Sequence, residues 1–318
     1  MTHPASPFPP PPFSDPRLTE QRNPRTERID VAATLEIVDL LNAEDQTVPE
    51  AVHRERERIA AAIELVMAAF GQGGRLVYVG AGTSGRLGVL DAAECPPTFG
   101  TPPELVVGLI AGGHAALVRS IEGAEDDVNA GMAAIDDARV TPADVVVGIA
   151  ASGTTPYVRA ALSRAQTIGA KTVLVSCSDP PKQLADTCDV LILPKVGPEA
   201  LTGSTRMKAG TATKLVLNTI STGAMIRRGR AYGNLMVDLM TLSDKLRDRG
   251  QRIVMEVAGV DREAARRVIE AAGGSVKLAI VMGKTGQDRE AARRTLEAAG
   301  GFVRKAIGDP PRVTGGGA

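Results

Sequence analysis

Two short runs join glycines to hydroxyl side chains: Gly80-Ala81-Gly82-Thr83-Ser84-Gly85 and Ala151-Ser152-Gly153-Thr154-Thr155. Each follows an apolar run of strand character and precedes a helical stretch. A helix N-terminus at such a turn favours an anion, because its first N–H groups lack internal partners and the helix dipole is positive there. Thr83, Ser84, Ser152, Thr154 and Thr155 add hydroxyl donors, with Gly82 and Gly153 inside the loops. For one loop alone, helix capping is the simpler account, since Ser and Thr favour N-caps. Two such loops at strand ends favour a site that closes around one compact phosphate and its sugar.

The first loop also fits G-x-G-x-x-G, the fingerprint of a dinucleotide fold. That fold wants an acid at the end of the next strand for the ribose. Here the next strand ends in Leu109-Ile110-Ala111-Gly112-Gly113, and Glu104, at about the right distance, precedes the strand. A dinucleotide is therefore disfavoured. Further along, Gly203-Ser204-Thr205 leads into Arg206 and Lys208 at the start of a long helix. Either cation suits a phosphate or a carboxylate, Arg through its forked donors; surface charge is the alternative. His114 follows a glycine pair with no second histidine nearby, and His53 reads as structural or exposed. Cys95 has no basic activator in sequence, and Cys95, Cys177 and Cys188 have no metal-ligand spacing.

The loops need a scaffold that brings strand ends together. Apolar runs at 76–79, 105–110, 145–149, 173–175 and 190–193 alternate with helical stretches. This predicts an α/β fold: an open, mostly parallel five-stranded sheet with helices on both faces. Helices are expected at 34–41, from Thr47-Val48-Pro49-Glu50 to Phe70, from an acidic start at Glu125-Asp126-Asp127, and at about 206–228. In the last part, Asp261-Arg262-Glu263-Ala264-Ala265-Arg266-Arg267 recurs 27 residues later as Asp288-Arg289-Glu290-Ala291-Ala292-Arg293-Arg294. Each copy runs on into Glu-Ala-Ala-Gly-Gly. The repeat predicts a small all-helical domain of helix-Gly-Gly-helix units, its arginines balanced by acids on a solvated surface. The expected layout is a proline-rich tail over 1–17, a phosphosugar-binding catalytic domain over 18–248, the helical domain over 249–308 and a loose tail over 309–318.

Composition narrows the function classes. Hydrophobic residues make up 43%, enough to exclude global disorder. Lys plus Arg and Asp plus Glu each number 37, so the chain lacks the basic excess of a nucleic-acid binder. Three Tyr, five Phe and no Trp leave little stacking surface. No apolar run approaches the roughly 20 residues of a membrane helix, and no apolar signal segment is seen. Three cysteines make no disulfide framework, which suits a reducing cytoplasm.

At the hydroxyl loops the chain resembles the sugar isomerase (SIS) family, and within it the branch of N-acetylmuramic acid 6-phosphate etherases. The resemblance rests on Gly80 to Gly88, Asp91 to Phe99, Ala111-Gly112-Gly113, Glu122 to Asp126 and Leu201 to Thr211, with Thr19-Glu20, Arg22-Asn23 and the doubled C-terminal helices. It covers about residues 18–308. The chain departs at Ala33, where a serine is expected before Thr34, and in its proline tail. The resemblance implies the SIS fold, a homodimer, no metal or other cofactor, and a carbon–oxygen lyase reaction: N-acetylmuramate 6-phosphate plus water gives N-acetylglucosamine 6-phosphate plus D-lactate.

That chemistry needs one base and one acid. In the open-chain aldehyde the C1 carbonyl acidifies C2–H; a base takes that proton, the C3 oxygen leaves as lactate, and water adds. The family pattern selects Glu94 as general acid and Glu125 as general base, and the two labels can be exchanged. Read without the family, Glu94 is a surface glutamate or a carboxyl raised by apolar Ala92, Ala93 and Cys95, on a helix that Pro96-Pro97 ends. Glu125 would belong to a solvated acidic helix start. Two other readings use the same loops: an SIS sugar-phosphate isomerase, and a non-catalytic phosphosugar sensor like glucokinase regulatory protein. A sensor should lack the two carboxyls or carry a second SIS domain.

Overall fold

The structure is a computed structural model that describes residue 15 and residues 17–239 and 244–309. The expected proline tail and the last residues lie outside that range. By internal contacts the chain divides into two units. The first comprises the chain up to Ala93 with Glu104–Ser221; the second comprises Glu94–Pro103 with the chain from Thr222 on.

The first unit opens with α1 (Thr34–Asp45), α2 (Val48–His53) and α3 (Arg56–Gly71). The expected single helix over 47–70 is broken at Arg54 and Glu55. Glu55 is buried and its carboxylate accepts the N–H of Leu193 at 3.0 Å, a tertiary bond that holds the chain out of register. Then strands and helices alternate: β1 (Leu76–Gly80), α4 (Gly82–Phe99), β2 (Val106–Ile110), α5 (Val128–Asp137), β3 (Val145–Ile149), α6 (Pro156–Ile168), β4 (Lys171–Val175), α7 (Lys182–Ala185), β5 (Val190–Ile192) and α8 (Lys208–Arg227). The five strands form one parallel sheet in the order β2-β1-β3-β4-β5.

β1 and β3 are buried at every position, as continuous Val-rich runs in a doubly covered sheet require. Alternate residues face opposite layers. Val77, Val79 and Val146 pack with Ile135 of α5 and with Val158 and Leu162 of α6. On the other face, a Cβ built on Gly88 of α4 would lie 2.9 Å from Tyr78 Cβ and 3.2 Å from Ile149. The missing side chain lets α4 lie close to the sheet. Tyr78 reaches through this layer to donate its hydroxyl to buried Asp91 at 2.8 Å, and Asn218 and Ser221 of α8 donate to the same carboxylate at 2.6 and 3.1 Å. The buried carboxylate thus fastens α4 to the sheet and to α8.

The second unit holds a small antiparallel pair, β6 (Ala231–Tyr232) and β7 (Leu235–Met236), and α9 (Asp244–Ala258), α10 (Arg262–Ala271), α11 (Val276–Thr285), α12 (Arg289–Ala298) and α13 (Val303–Ala306). The repeat folds as expected. Asp261 and Asp288 cap α10 and α12 alike, accepting from Ala264 N at 2.7 Å and Ala291 N at 2.8 Å. The repeated arginines pair with acids on their own helices, Arg266 with Glu263 and Glu270, Arg293 with Glu290 and Glu297. Two further elements differ from expectation. The β6–β7 pair was not anticipated, and Pro96-Pro97 does not end α4, which runs on to Phe99. Near a helix end each proline forfeits one backbone bond, while buried Cys95 and Phe99 keep the last turns packed.

Candidate functional site

Gly80 pairs in parallel register with both Ile110 of β2 and Ile149 of β3, so three strand ends are level. The chain leaves β1 for β2 on one side and returns to β3 on the other. This reversal is the switch point at which open α/β sheets bind ligands. Both hydroxyl loops flank it.

In the first loop the glycines serve the turn itself. A Cβ on Gly80 would stand 2.7 Å from Gly85 N, and one on Gly85 would stand 2.6 Å from the Ile110 side chain. Gly82 has φ +53°, in the region that glycine enters without strain. The fingerprint spacing is thus met by packing. Thr83 and Ser84 are half-buried in the first turn of α4, with no side-chain hydrogen bond among the described residues. In the second loop Ser152 Oγ and Thr154 Oγ1 lie 2.9 Å apart, and Thr154 N–H donates to Ser152 Oγ at 3.3 Å. Gly153 has φ +74°, and a Cβ there would meet Pro180 Cα and Ser176 Oγ at 3.0 Å. Thr155 is the N-cap residue of α6, yet its hydroxyl makes no capping bond. The capping account therefore fails for Thr155, whose hydroxyl is open to a ligand.

A cavity of about 280 Å³ opens beside the first loop, lined by Gly82, Arg86, Ile121, Glu122 and Glu125 among others. Glu125 lies in a 3₁₀ turn, Ala124–Asp126, entered through Gly123 at φ +72°. The expected helix start is displaced: Asp127 caps α5, accepting from Ala130 N at 2.8 Å. Asp127 takes the capping duty, so Glu125 is exposed toward the cavity.

Glu94 lies near the far end of α4, in the second unit, and is exposed. The apolar surround read from its neighbours is absent: Ala92 and Cys95 are buried, whereas Ala93 and Glu94 turn outward. At 3.6 residues per turn, adjacent positions point in different directions.

Ser204 is half-buried in the turn before α8, and Arg206 is exposed. Lys208 is directed inward. Its side chain is 1% exposed, and its ammonium donates to Glu44 at 2.6 Å and to Val196 O at 2.9 Å. Glu44 also accepts from Arg25 and from Asn23. Burial raises the Glu44 carboxyl, but the bonds from Arg25, Lys208 and Asn23 outweigh it and bring its pKa down to about 2. Buried Glu199 accepts the N–H groups of Lys208 and Ala209 at 3.0 and 2.9 Å. Its carboxylate thereby caps the start of α8; desolvation nevertheless raises its pKa. This cluster was missed as a unit, although Asn23 was among the residues of the resemblance. It fixes the first turn of α8 beside the first loop, where a Cβ on Gly210 would lie 3.5 Å from Thr83 Cγ2.

Burial, with the charge of Glu199, pushes the Cys177 thiol up to about 12, which removes it as a nucleophile. Among the described residues no group of three His, Cys, Asp or Glu is placed to hold a metal ion, and no helix is long and apolar enough to cross a membrane.

Residues 58–166 match the family model of the glucokinase regulatory protein N-terminal SIS domain. A solved phosphoheptose isomerase from Neisseria gonorrhoeae superposes with TM-score 0.46 at 18% identity, covering 60% of this chain and 98% of that one. Among curated relatives, an N-acetylmuramic acid 6-phosphate etherase of Rhizobium rhizogenes is 55% identical over 83% of this chain and 86% of its own. One of Mesorhizobium japonicum is 53% identical over 92% of this chain and 95% of its own. At that identity over nearly the whole of both chains, this protein belongs to the N-acetylmuramic acid 6-phosphate etherase family.

Proposed function

We propose that the chain cleaves the D-lactyl ether of N-acetylmuramic acid 6-phosphate. The phosphate sits at the β1/β3 switch point on the N–H groups of Gly82, Thr83 and Ser84 and the hydroxyls of Ser84, Ser152, Thr154 and Thr155, with Gly153, whose own N–H closes the turn on Ala150 O, keeping the second loop open to it. The observation that carries this reading is that Gly82 and Glu125 line one cavity. This supports Glu125 as a base beside the anion site.

Glu125 takes the C2 proton of the open-chain aldehyde. The electron pair forms the C2–C3 double bond and expels the C3 oxygen, which receives a proton and departs as D-lactate. Water then adds its oxygen to C3 and a proton returns to C2, giving N-acetylglucosamine 6-phosphate. The family resemblance supports Glu94 as the proton donor to the leaving oxygen. Ser204 lies in the turn before α8 and is kept as a sugar contact. Lys208 holds the start of α8 from within instead of touching substrate.

Turnover in heavy water should place deuterium at C2 of the product, and heavy-oxygen water should label C3 and leave lactate unlabelled. Glu125→Gln should suppress C2 exchange and lower turnover by about 10²–10⁴-fold. Glu94→Gln should slow lactate release yet permit C2 exchange. Label in lactate would discard the elimination, and undiminished C2 exchange in Glu125→Gln would remove it as the base.

We further propose a homodimer in the cytoplasm. Val31, Leu35 and Val38 are 68%, 72% and 56% exposed at and near the start of α1, an apolar surface that suits a second copy. Three free cysteines, two of them buried, suit a reducing compartment. Sedimentation should give twice the chain mass; a monomer at working concentration refutes the dimer.

A further inference from the structure

Arg86 stands on the second turn of α4 and lines the cavity of Gly82 and Glu125. It is half-buried, and its Nε donates to Leu117 O at 3.2 Å. Its terminal nitrogens make no bond among the described residues. A guanidinium anchored through Nε presents its two terminal amino groups as a fixed fork, a geometry that fits a carboxylate. The other charged groups lining the cavity are Glu122 and Glu125, and neither is ion-paired to Arg86.

We propose that Arg86 binds the carboxylate of the lactyl group and makes the site select a sugar carrying a carboxylic-acid ether over a plain phosphosugar. This rests on the phosphate and base assignments above. The sheet order separates the substrate's two anionic groups. The Ser152–Thr155 loop leaves β3, on one side of β1. The cavity with Arg86 and Glu125 is built by the segments after β1 and β2, on the other side. C3 is bonded to C2, so a sugar whose C2 proton meets Glu125 holds its C3 substituent at the cavity on the β2 side, with the C6 phosphate between the β1 and β3 loops. There a lactyl carboxylate meets Glu125, a like charge. A fork-shaped cation in the same cavity offsets that repulsion and leaves Glu125 free to take a proton.

The test compares wild type, Arg86→Gln and Arg86→Lys with two ligands. One is N-acetylmuramate 6-phosphate, read as kcat/KM. The other is N-acetylglucosamine 6-phosphate, which keeps the phosphate and lacks the lactyl group, read as its dissociation constant. Arg86→Gln should lower kcat/KM for the ether about 10- to 100-fold and change the dissociation constant of the plain sugar by less than about threefold. Arg86→Lys keeps the charge, loses the fork and should fall between. Equal losses for both ligands would make Arg86 a phosphate contact or a support for the Leu117 turn, and the proposal fails. No loss in either variant also overturns it. If Arg86→Gln melts early, Arg86→Lys decides, since loss of selectivity at wild-type stability has no structural explanation. Ser152→Ala tests the underlying phosphate reading separately, because it should weaken both ligands together.

Discussion

Lys208→Met is the perturbation that most directly separates a binding lysine from a structural one. The ammonium is buried with Glu44, whose side chain is 2% exposed, at 2.6 Å. Removing one partner of a buried pair costs about 3–5 kcal/mol, because the remaining charge is stranded away from water. Arg25 and Asn23 still reach Glu44, which places the expected loss near the lower figure, about 3 kcal/mol. At about 2.1 cal/mol/K per residue, a loss of about 3 kcal/mol lowers the Tm of a 318-residue chain by roughly 4–5 °C. The pH dependence follows from Glu44. Its folded pKa of about 2 lies below the ordinary 4.5. A depressed carboxyl contributes stability that is full above the unfolded value and is lost as pH falls through the folded one. Wild type should therefore lose this contribution between about pH 4.5 and 2. In Lys208→Met the carboxyl loses a donor, its pKa rises, and a smaller contribution remains to be lost. The assay is thermal unfolding across pH, with KM measured on the folded variant at low temperature. An unchanged Tm together with a KM raised 100-fold would refute the buried role and return Lys208 to the substrate.

Gly153→Ala should cost about 1–2 kcal/mol, because a side chain is forced into the left-handed region. It should also raise KM more than it lowers kcat, since the new methyl presses on Pro180 and Ser176 behind the second hydroxyl loop; an unchanged KM would detach that loop from the phosphate. Ala33→Ser should stabilise by about 0.5–2 kcal/mol. At present only the Glu36 carboxylate reaches back, at 3.4 Å, to the Ala33 N–H, and a serine hydroxyl would add a side-chain acceptor at the N-cap of α1. A Tm equal to wild type would show that α1 does not limit stability.

Features set by local chemistry could be read from the sequence. The Val-rich runs of β1 and β3 admit little but buried strands, and the repeated aspartates could only announce two like-capped helices. The hydroxyl loops were visible because their function depends on residue type at a strand end. What was hidden depends on partners far along the chain. Nothing beside Lys208 shows that its counter-charge is Glu44, or that Glu55 of the N-terminal helices would be recruited by Leu193. For Glu94 the surface reading holds and the apolar one does not, for a geometric reason: neighbours in sequence are not neighbours on a helix surface. Arg86 directly follows the first loop, but only the structure shows that it lines one cavity with Glu125.

The second unit is made of two stretches of chain, Glu94–Pro103 and the part from Thr222 on. That division sets a timetable for synthesis. At 5–20 residues per second the ribosome needs roughly 6–24 s to pass from one stretch to the next. During that interval the Glu94–Pro103 stretch, whose Cys95 and Phe99 are buried in the finished protein, lacks the rest of its own unit. The later helices bury a common apolar core around Ile253, Ile269 and Ile280. The nascent chain thus holds one stretch of the helical unit while the other is still to be made. The sheet's strands are complete by Ile192, whereas the helical unit waits for α13, which ends at Ala306.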